Sequence, residues 1–288
     1  MMTAIDEGAL RQHIGKTISE TDVATAAPIA MLIATFDRNE PAPAEGEPIP
    51  QGWHIGYFVN MAPQASLAVD GLPTGAGVLP AMPLPRRMYA GCRITFHDDI
   101  RVGDKMVKET TLSDIQVRKG STGTLIFATQ TRRISTPRGL ALTEEYQSAF
   151  REEVKEGQAS GIPKREEVPG GLPWQRTVKA NAVSLFRFSA ITFNPHRIHY
   201  DKPYATGVEG YPGLVVHGPY SQHCLNDLIR DMNPGKRMAT FAMRARAPLF
   251  EDDPFELVGR PAEGGNGAEV WAMTPSGTIA MQATATFA

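Results

Sequence analysis

Cysteine is almost missing from this sequence: among 288 residues there are two, Cys92 and Cys224. Two thiols so far apart give no disulfide framework and no thiolate metal site with ligand spacing, and they suit a reducing compartment. Long apolar runs are missing as well. No stretch approaches the roughly 18 apolar residues that cross a bilayer, and the opening "MMTAIDEGALRQHIG" carries Asp6 and Glu7 in place of an apolar signal core. An excess of either charge is the third absence, since 29 basic groups face 31 acidic ones for a formal charge of −2. Such a balance creates no field for nucleic acid or a membrane surface. A cytoplasmic protein with neither kind of partner is expected. What remains is an ordinary globular composition, 42% hydrophobic and 21% charged, in a chain whose length suits two domains of moderate size.

Two similar halves are visible, residues 1–143 and 180–288, joined by a segment at 144–179. Within that segment "EEVKEGQASGIPKREEVPGGLPWQ" is dense in charge, Gly and Pro, the composition of a linker. In the first half "CRITFHDDIRVGD" leads into "KMVKETTLSDIQVRKG" and "GTLIFATQTRRI", β-branched runs with partial period-two alternation around a Gly-rich turn. They predict long antiparallel strands. In the second half "ARAPLFEDDPFELVGRP" leads into a run where Ile279, Met281, Ala283, Ala285 and Phe287 alternate with mostly polar neighbours. Arg93, Phe96, Asp98 and Asp99 find counterparts in Arg246, Phe250, Asp252 and Asp253 with one residue inserted, which suggests a duplication.

Each half also offers one apolar helix. Tyr220, Cys224, Leu225, Leu228 and Ile229 share a helical face that starts after Gly218-Pro219 and stops before Asn233-Pro234-Gly235. In "TDVATAAPIAMLIATF" the residues Ile29, Leu32, Ile33 and Phe36 are spaced alike. One helix with a long antiparallel sheet, twice over, is an α+β layout.

The polar segment "FSAITFNPHRIHYDKPYA", followed by "GYPGLVVHGPY", resembles the active-site segment of the MaoC-like hydratases of the hot-dog superfamily, in the subgroup with type 2 3-hydroxyacyl-thioester dehydratases. "LPAMPLPRRMYAGCRITFHDDIRVGD" and "SDIQVRKGSTGTLIFAT" resemble the first half of the same subgroup, which includes itaconyl-CoA and mesaconyl-C4-CoA hydratases. The resemblance implies a double hot-dog fold, two curled antiparallel sheets each around a central helix, with an acyl-CoA thioester between them. It also implies a hydro-lyase without a cofactor, CoA being part of the substrate, and a homodimer or higher homo-oligomer.

Adding water to an enoyl thioester needs a base for the water, donors for the thioester oxygen and a proton for the α-carbon. His199 is the candidate base, since a neutral imidazole accepts a proton from water and the imidazolium returns it to carbon. Relatives place an aspartate five residues earlier, where this chain has Asn194; an amide orients water but cannot take its proton. Asp201 would share a face with His199 only in an extended segment. Gly218, opening the helix, is the candidate oxyanion donor, because free amides and the positive end of the dipole lie at a helix start. The subgroup's C5-dicarboxylyl substrates end in a carboxylate that a guanidinium could grip, with Arg86, Arg87 and Arg197 as candidates. Tyr200 and His217 are further candidate substrate contacts, and Trp53, His54 and Tyr57 candidate pocket residues.

Structural readings stand beside these. Asn194 could simply begin the turn that Pro195 continues, and Arg86 and Arg87 could be a solvated pair. His196, His217 and His223 read first as structural, and Trp53 and Tyr57 as core. The reaction expected is hydration of itaconyl-CoA or mesaconyl-C4-CoA to citramalyl-CoA. Dehydration of 3-hydroxyacyl thioesters in fatty-acid metabolism and non-catalytic acyl-CoA binding are the alternatives. No metal site is expected, since no pair among His196, His199, Asp201 and His217 has the i, i+4 spacing of a zinc helix.

Overall fold

The computed structural model describes residues 5–74, 77–120, 123–152 and 168–288. Its strands are β1 (Thr17–Val23), β2 (Arg86–Phe96), β3 (Lys105–Gly120), β4 (Gly123–Thr136), β5 (Gly139–Arg151), β6 (Trp174–Val178), β7 (Met238–Ala245), β8 (Phe255–Pro261), β9 (Gly267–Met273) and β10 (Ile279–Phe287). The helices are α1 (Glu7–Arg11), α2 (Ala26–Thr35), α3 (Ala182–Thr192), α4 (Lys202–Gly207) and α5 (Gly218–Met232).

All ten strands form one sheet in the order β1-β3-β4-β5-β2-β7-β10-β9-β8-β6. Outward from the central β2–β7 pair, the order of the first half (β2, β5, β4, β3, β1) is matched in the second (β7, β10, β9, β8, β6). Each half's helix follows its first strand in both cases, α2 after β1 and α5 after β6 among intervening elements. The duplication expected from the sequence is therefore present in the topology, and the fold is an α+β double hot-dog.

The strands form where the alternation placed them. In β4, Ile126, Ala128, Ile134 and the polar Gln130 are buried at every second position or nearly so, and β10 buries Met281, Ala283, Ala285 and Phe287. Helix α5 is the filling of the second half: ten of its residues are buried, including Cys224, Leu225, Leu228 and Ile229. Helix α2 is shorter and buries Ile29 and Leu32. At about 1.5 Å per residue, ten residues against fifteen leave α2 roughly 7 Å shorter than α5. Residues of β4 and β5 in the first half, among them Gln130, Arg132 and Tyr146, line a cavity.

At the centre, a bulge leaves Ala90 without a partner, because Tyr89 pairs with Ser148 and Gly91 with Gln147. Gly91, at φ +151°, sits so close to the Met243 carbonyl of β7 that a Cβ there would collide with it. The two halves join at this point because the position is glycine.

The linker was expected from Glu144, but β5 continues to Arg151, pairing with both β2 and β4. Its period-two inward positions carry Glu144, Tyr146 and Ser148, polar residues that disguise the strand. The other end also differs, since Trp174–Val178 pairs with β8. Most of the remaining linker, 153–167, lies outside the described residues. No helix of the described residues is long and apolar enough to cross a membrane.

Candidate active site

A cavity of about 1350 Å³ opens between the halves, lined by Arg87, Tyr89, Arg132, Glu144 and Tyr146 from the first and Asn194, His196, His199, Gly218 and Gln222 from the second. It exceeds the usual small-molecule pocket and suits a ligand with a long carrier arm.

His199 reaches this cavity from a short 3-10 turn, Arg197–His199, that follows α3. Asn181 and Ser184 cap the start of α3 reciprocally, and Phe193, in the left-handed conformation at φ +48°, ends it. The loop is then pinned. Arg197 pairs with Asp201 at 2.7 Å, and the Asp201 carboxylate also caps α4 through the Tyr204 N–H at 3.1 Å. Asp201 thus fixes the loop and is engaged away from His199.

The His199 ring is oriented by two contacts. Its Nδ1 lies 2.7 Å from the Val215 carbonyl, which can only accept, so Nδ1 carries the proton and Nε2 keeps its lone pair. Its face stacks on His217 with centroids 3.7 Å apart and an interplanar angle of 22°. His217 is fully buried and its Nε2 is 2.8 Å from the Ser189 hydroxyl. Burial holds the His199 pKa down to about 4, the Val215 bond opposing this in part. The imidazole is therefore neutral at physiological pH, with its Nε2 lone pair available to accept a proton.

Gly218 begins α5 on the same cavity. Its amide is in the first turn, which has no intrahelical acceptor. A side chain here would run into the Tyr89 ring. Tyr89 is held in turn by its hydroxyl, which donates to Gln222 Oε1 at 2.6 Å on the next turn of α5.

The cavity receives some of the predicted residues and not others. His199, Asn194, Gly218 and Arg87 line it. Asn194 is partly structural, its Oδ1 accepting the His196 N–H at 3.1 Å. Arg86 points elsewhere, paired with Glu209 at 2.7 Å and set against the Tyr211 ring. Arg197 is neutralised by Asp201, Tyr200 is 46% exposed with its hydroxyl on the Pro195 carbonyl, and His217 lies behind His199. Those four are outside the cavity wall because each has a structural partner. Of the aromatic candidates, His54 and Tyr57 line the cavity, while Trp53 is buried and donates to Asp227 at 2.8 Å.

Arg87 is different. It lines the cavity with no carboxylate within ion-pair distance among the described residues, and burial lowers its pKa. Its one hydrogen bond, to the Ser148 hydroxyl, is long at 3.4 Å. Sequence reasoning missed Arg132, Glu144 and Tyr146 beside it. Arg132 meets Glu144 at 3.0 Å and sits 3.9 Å over the Tyr146 ring, which is 5.0 Å from Tyr89. The available signal was the run of polar residues at inward positions of two strands. No cluster of metal ligands exists among the described residues.

The sequence profile of hydroxyacyl-thioester dehydratase type 2 matches residues 52–251, a span that holds this whole constellation. The chain belongs to that family. It is 40% identical over 277 residues to a mesaconyl-C(4)-CoA hydratase of Chloroflexus aurantiacus, covering 94% of this chain and 95% of the relative. A mitochondrial hydroxyacyl-thioester dehydratase type 2 of Schizosaccharomyces pombe is 24% identical over 82% of this chain and 87% of its own. Among solved structures, a MaoC-like dehydratase of Phytophthora capsici superposes with a TM-score of 0.68 at 13% identity over 99% of both chains. A Mycobacterium tuberculosis protein with a double hot-dog fold gives 0.58 at 13% identity, covering 96% of both chains. These confirm the fold. As a member of the type 2 dehydratase family, the protein is a hydro-lyase.

Proposed function

We propose that the protein hydrates a short unsaturated dicarboxylyl-CoA, with mesaconyl-C4-CoA or itaconyl-CoA as substrate and citramalyl-CoA as product. The observation that carries this is one cavity shared by the bare Nε2 of His199, the first turn of α5 and an unpaired guanidinium, Arg87. His196, whose pKa is lowered chiefly by burial, is lowered further by the charges of His199 and Arg87. A cation on the same cavity as the histidines fits an acyl group with a carboxylate at its end.

In this reading, written for the conjugated mesaconyl-C4-CoA, the thioester oxygen faces the Gly218 amide. His199 Nε2 takes a proton from water as the water oxygen bonds to the β-carbon. The π electrons move toward the thioester, forming an enolate that the Gly218 N–H and the α5 dipole stabilise. The imidazolium then gives its proton to the α-carbon. Every atom of water ends in the product, so no cofactor is consumed.

The test is loss of enoyl-thioester absorbance with mesaconyl-C4-CoA, itaconyl-CoA and crotonyl-CoA, with His199→Ala alongside. Removing a general base costs about 10²- to 10⁴-fold, so turnover of a dicarboxylyl substrate should collapse in the variant. Turnover of crotonyl-CoA alone would favour 3-hydroxyacyl-thioester dehydration, and binding without turnover a carrier role. Unchanged rates after exhaustive chelation would support the absence of a metal. Self-association and a cytoplasmic setting belong to the same proposal, the first checked by light scattering.

A further inference from the structure

The hydratase reading leaves one chemical position unfilled. Water that attacks carbon needs a second partner besides its base, to hold the hydrogen it keeps. Asn194, which stands where relatives carry a carboxylate, spends its Oδ1 on the His196 backbone.

His196 lies in the same loop, between Asn194 and the Arg197–His199 turn. Its ring lines the cavity and stands edge-on to His199, with centroids 5.4 Å apart and planes at 90°. Among the described residues neither ring nitrogen has a hydrogen-bond partner, although the residue is only 9% exposed. Both rings border the same cavity, so a water there can lie between them. Asp70 is the third member: its Oδ2 lies 4.0 Å from His196 Nε2, while its Oδ1 accepts the Leu72 N–H at 2.9 Å. At that distance the carboxylate acts through its field. It favours the tautomer with the proton on Nε2 and leaves Nδ1 as an acceptor. The charged groups near His196 are thus Asp70, at 4.0 Å, and the guanidiniums of Arg87 and Arg86, which with burial and His199 lower its pKa.

We propose that His196 is a second catalytic residue, whose Nδ1 accepts the retained hydrogen of the attacking water while His199 Nε2 removes the other, and that Asp70 positions it by fixing its tautomer. His196 neither gains nor loses a proton in the cycle. The hydrogen it holds remains on the product hydroxyl, and the one His199 removes goes to the α-carbon.

This rests on the hydratase reading, which wild-type turnover tests by itself; a wild type inactive on all three thioesters would remove both. Three variants test His196 through the place of one atom, because the side-chain amide of asparagine overlies Nδ1 and that of glutamine overlies Nε2. With mesaconyl-C4-CoA, His196→Gln and His196→Ala should lose about 100-fold in kcat at nearly unchanged KM, and His196→Asn should stay within about tenfold of wild type. Asp70→Asn should lose about tenfold in the wild-type background and nothing further in His196→Gln. If the His196 variants fail to fold, the Asp70→Asn loss, again expected in kcat at constant KM, carries the test. All three His196 variants within threefold of wild type, or all equally impaired, would overturn the proposal, as would an Asp70 effect that adds fully to His196→Gln.

Discussion

The imidazoles of His199 and His217 stack 3.7 Å apart inside the protein, so a proton on either would face both a desolvated site and a neighbouring ring. Burial lowers both, His199 to about 4 from an ordinary value of about 6.5. Because the folded pKa is below the unfolded one, the unfolded chain binds the proton first as pH falls. Stability is complete above about pH 6.5 and declines toward pH 4, by on the order of 3 kcal/mol for His199 alone. Denaturant midpoints measured from pH 7 to pH 4 should fall accordingly, less steeply in His199→Gln. For catalysis, the base form persists down to about pH 4, so kcat/KM should stay level through neutrality and lose activity only near that value.

Arg87 discriminates substrates if its free guanidinium meets a carboxylate. Arg87→Met should reduce kcat/KM for mesaconyl-C4-CoA by about 100-fold, the worth of a charge-assisted pair of roughly 3 kcal/mol. Turnover of crotonyl-CoA should be unchanged or improved. Equal loss on both substrates would mark Arg87 as a support of the cavity wall.

Arg86, its neighbour in sequence, answers to a different measurement. It is 8% exposed and held by Glu209 at 2.7 Å, so removing its charge strands a partly buried carboxylate. Arg86→Met should lower stability by about 3 kcal/mol, read as a shift in the denaturant midpoint, with KM for dicarboxylyl substrates little altered.

Gly218 and Tyr89 form a steric pair. Gly218→Ala puts a methyl group into the Tyr89 ring, displacing either the ring or the Gly218 amide. A loss of kcat of about 100-fold is expected, and Gly218→Ala with Tyr89→Ala should recover part of it. Failure to recover any activity would mean that Tyr89 itself is needed, through its bond to Gln222.

The sequence revealed the duplication because its strands alternate and its two helices are punctuated by Pro and Gly, signals that act within a few residues. That His199, Asn194 and Gly218 share a cavity was legible from the family segment. Arg132, Glu144 and Tyr146 were not, because polar residues at inward positions look like the end of a strand until the cavity beside them is known. This same ambiguity moved the apparent linker boundary into β5. Between Arg86 and Arg87 the sequence had no means to choose: adjacent strand residues face opposite sides, and only the β2 register decides which one meets Glu209 and which meets the cavity.

The β2–β7 join makes this pair of half-domains inseparable. Arg87 and His199 belong to opposite halves and yet face one cavity, so a single chain carries both the group suited to the far end of a ligand and the group suited to the chemistry. A substitution in the first half can reshape one wall of the cavity while leaving the histidines of the second half in place. A substitution that changes the preferred acyl group should therefore be sought on β2, β4 or β5, far along the chain from the histidines it serves.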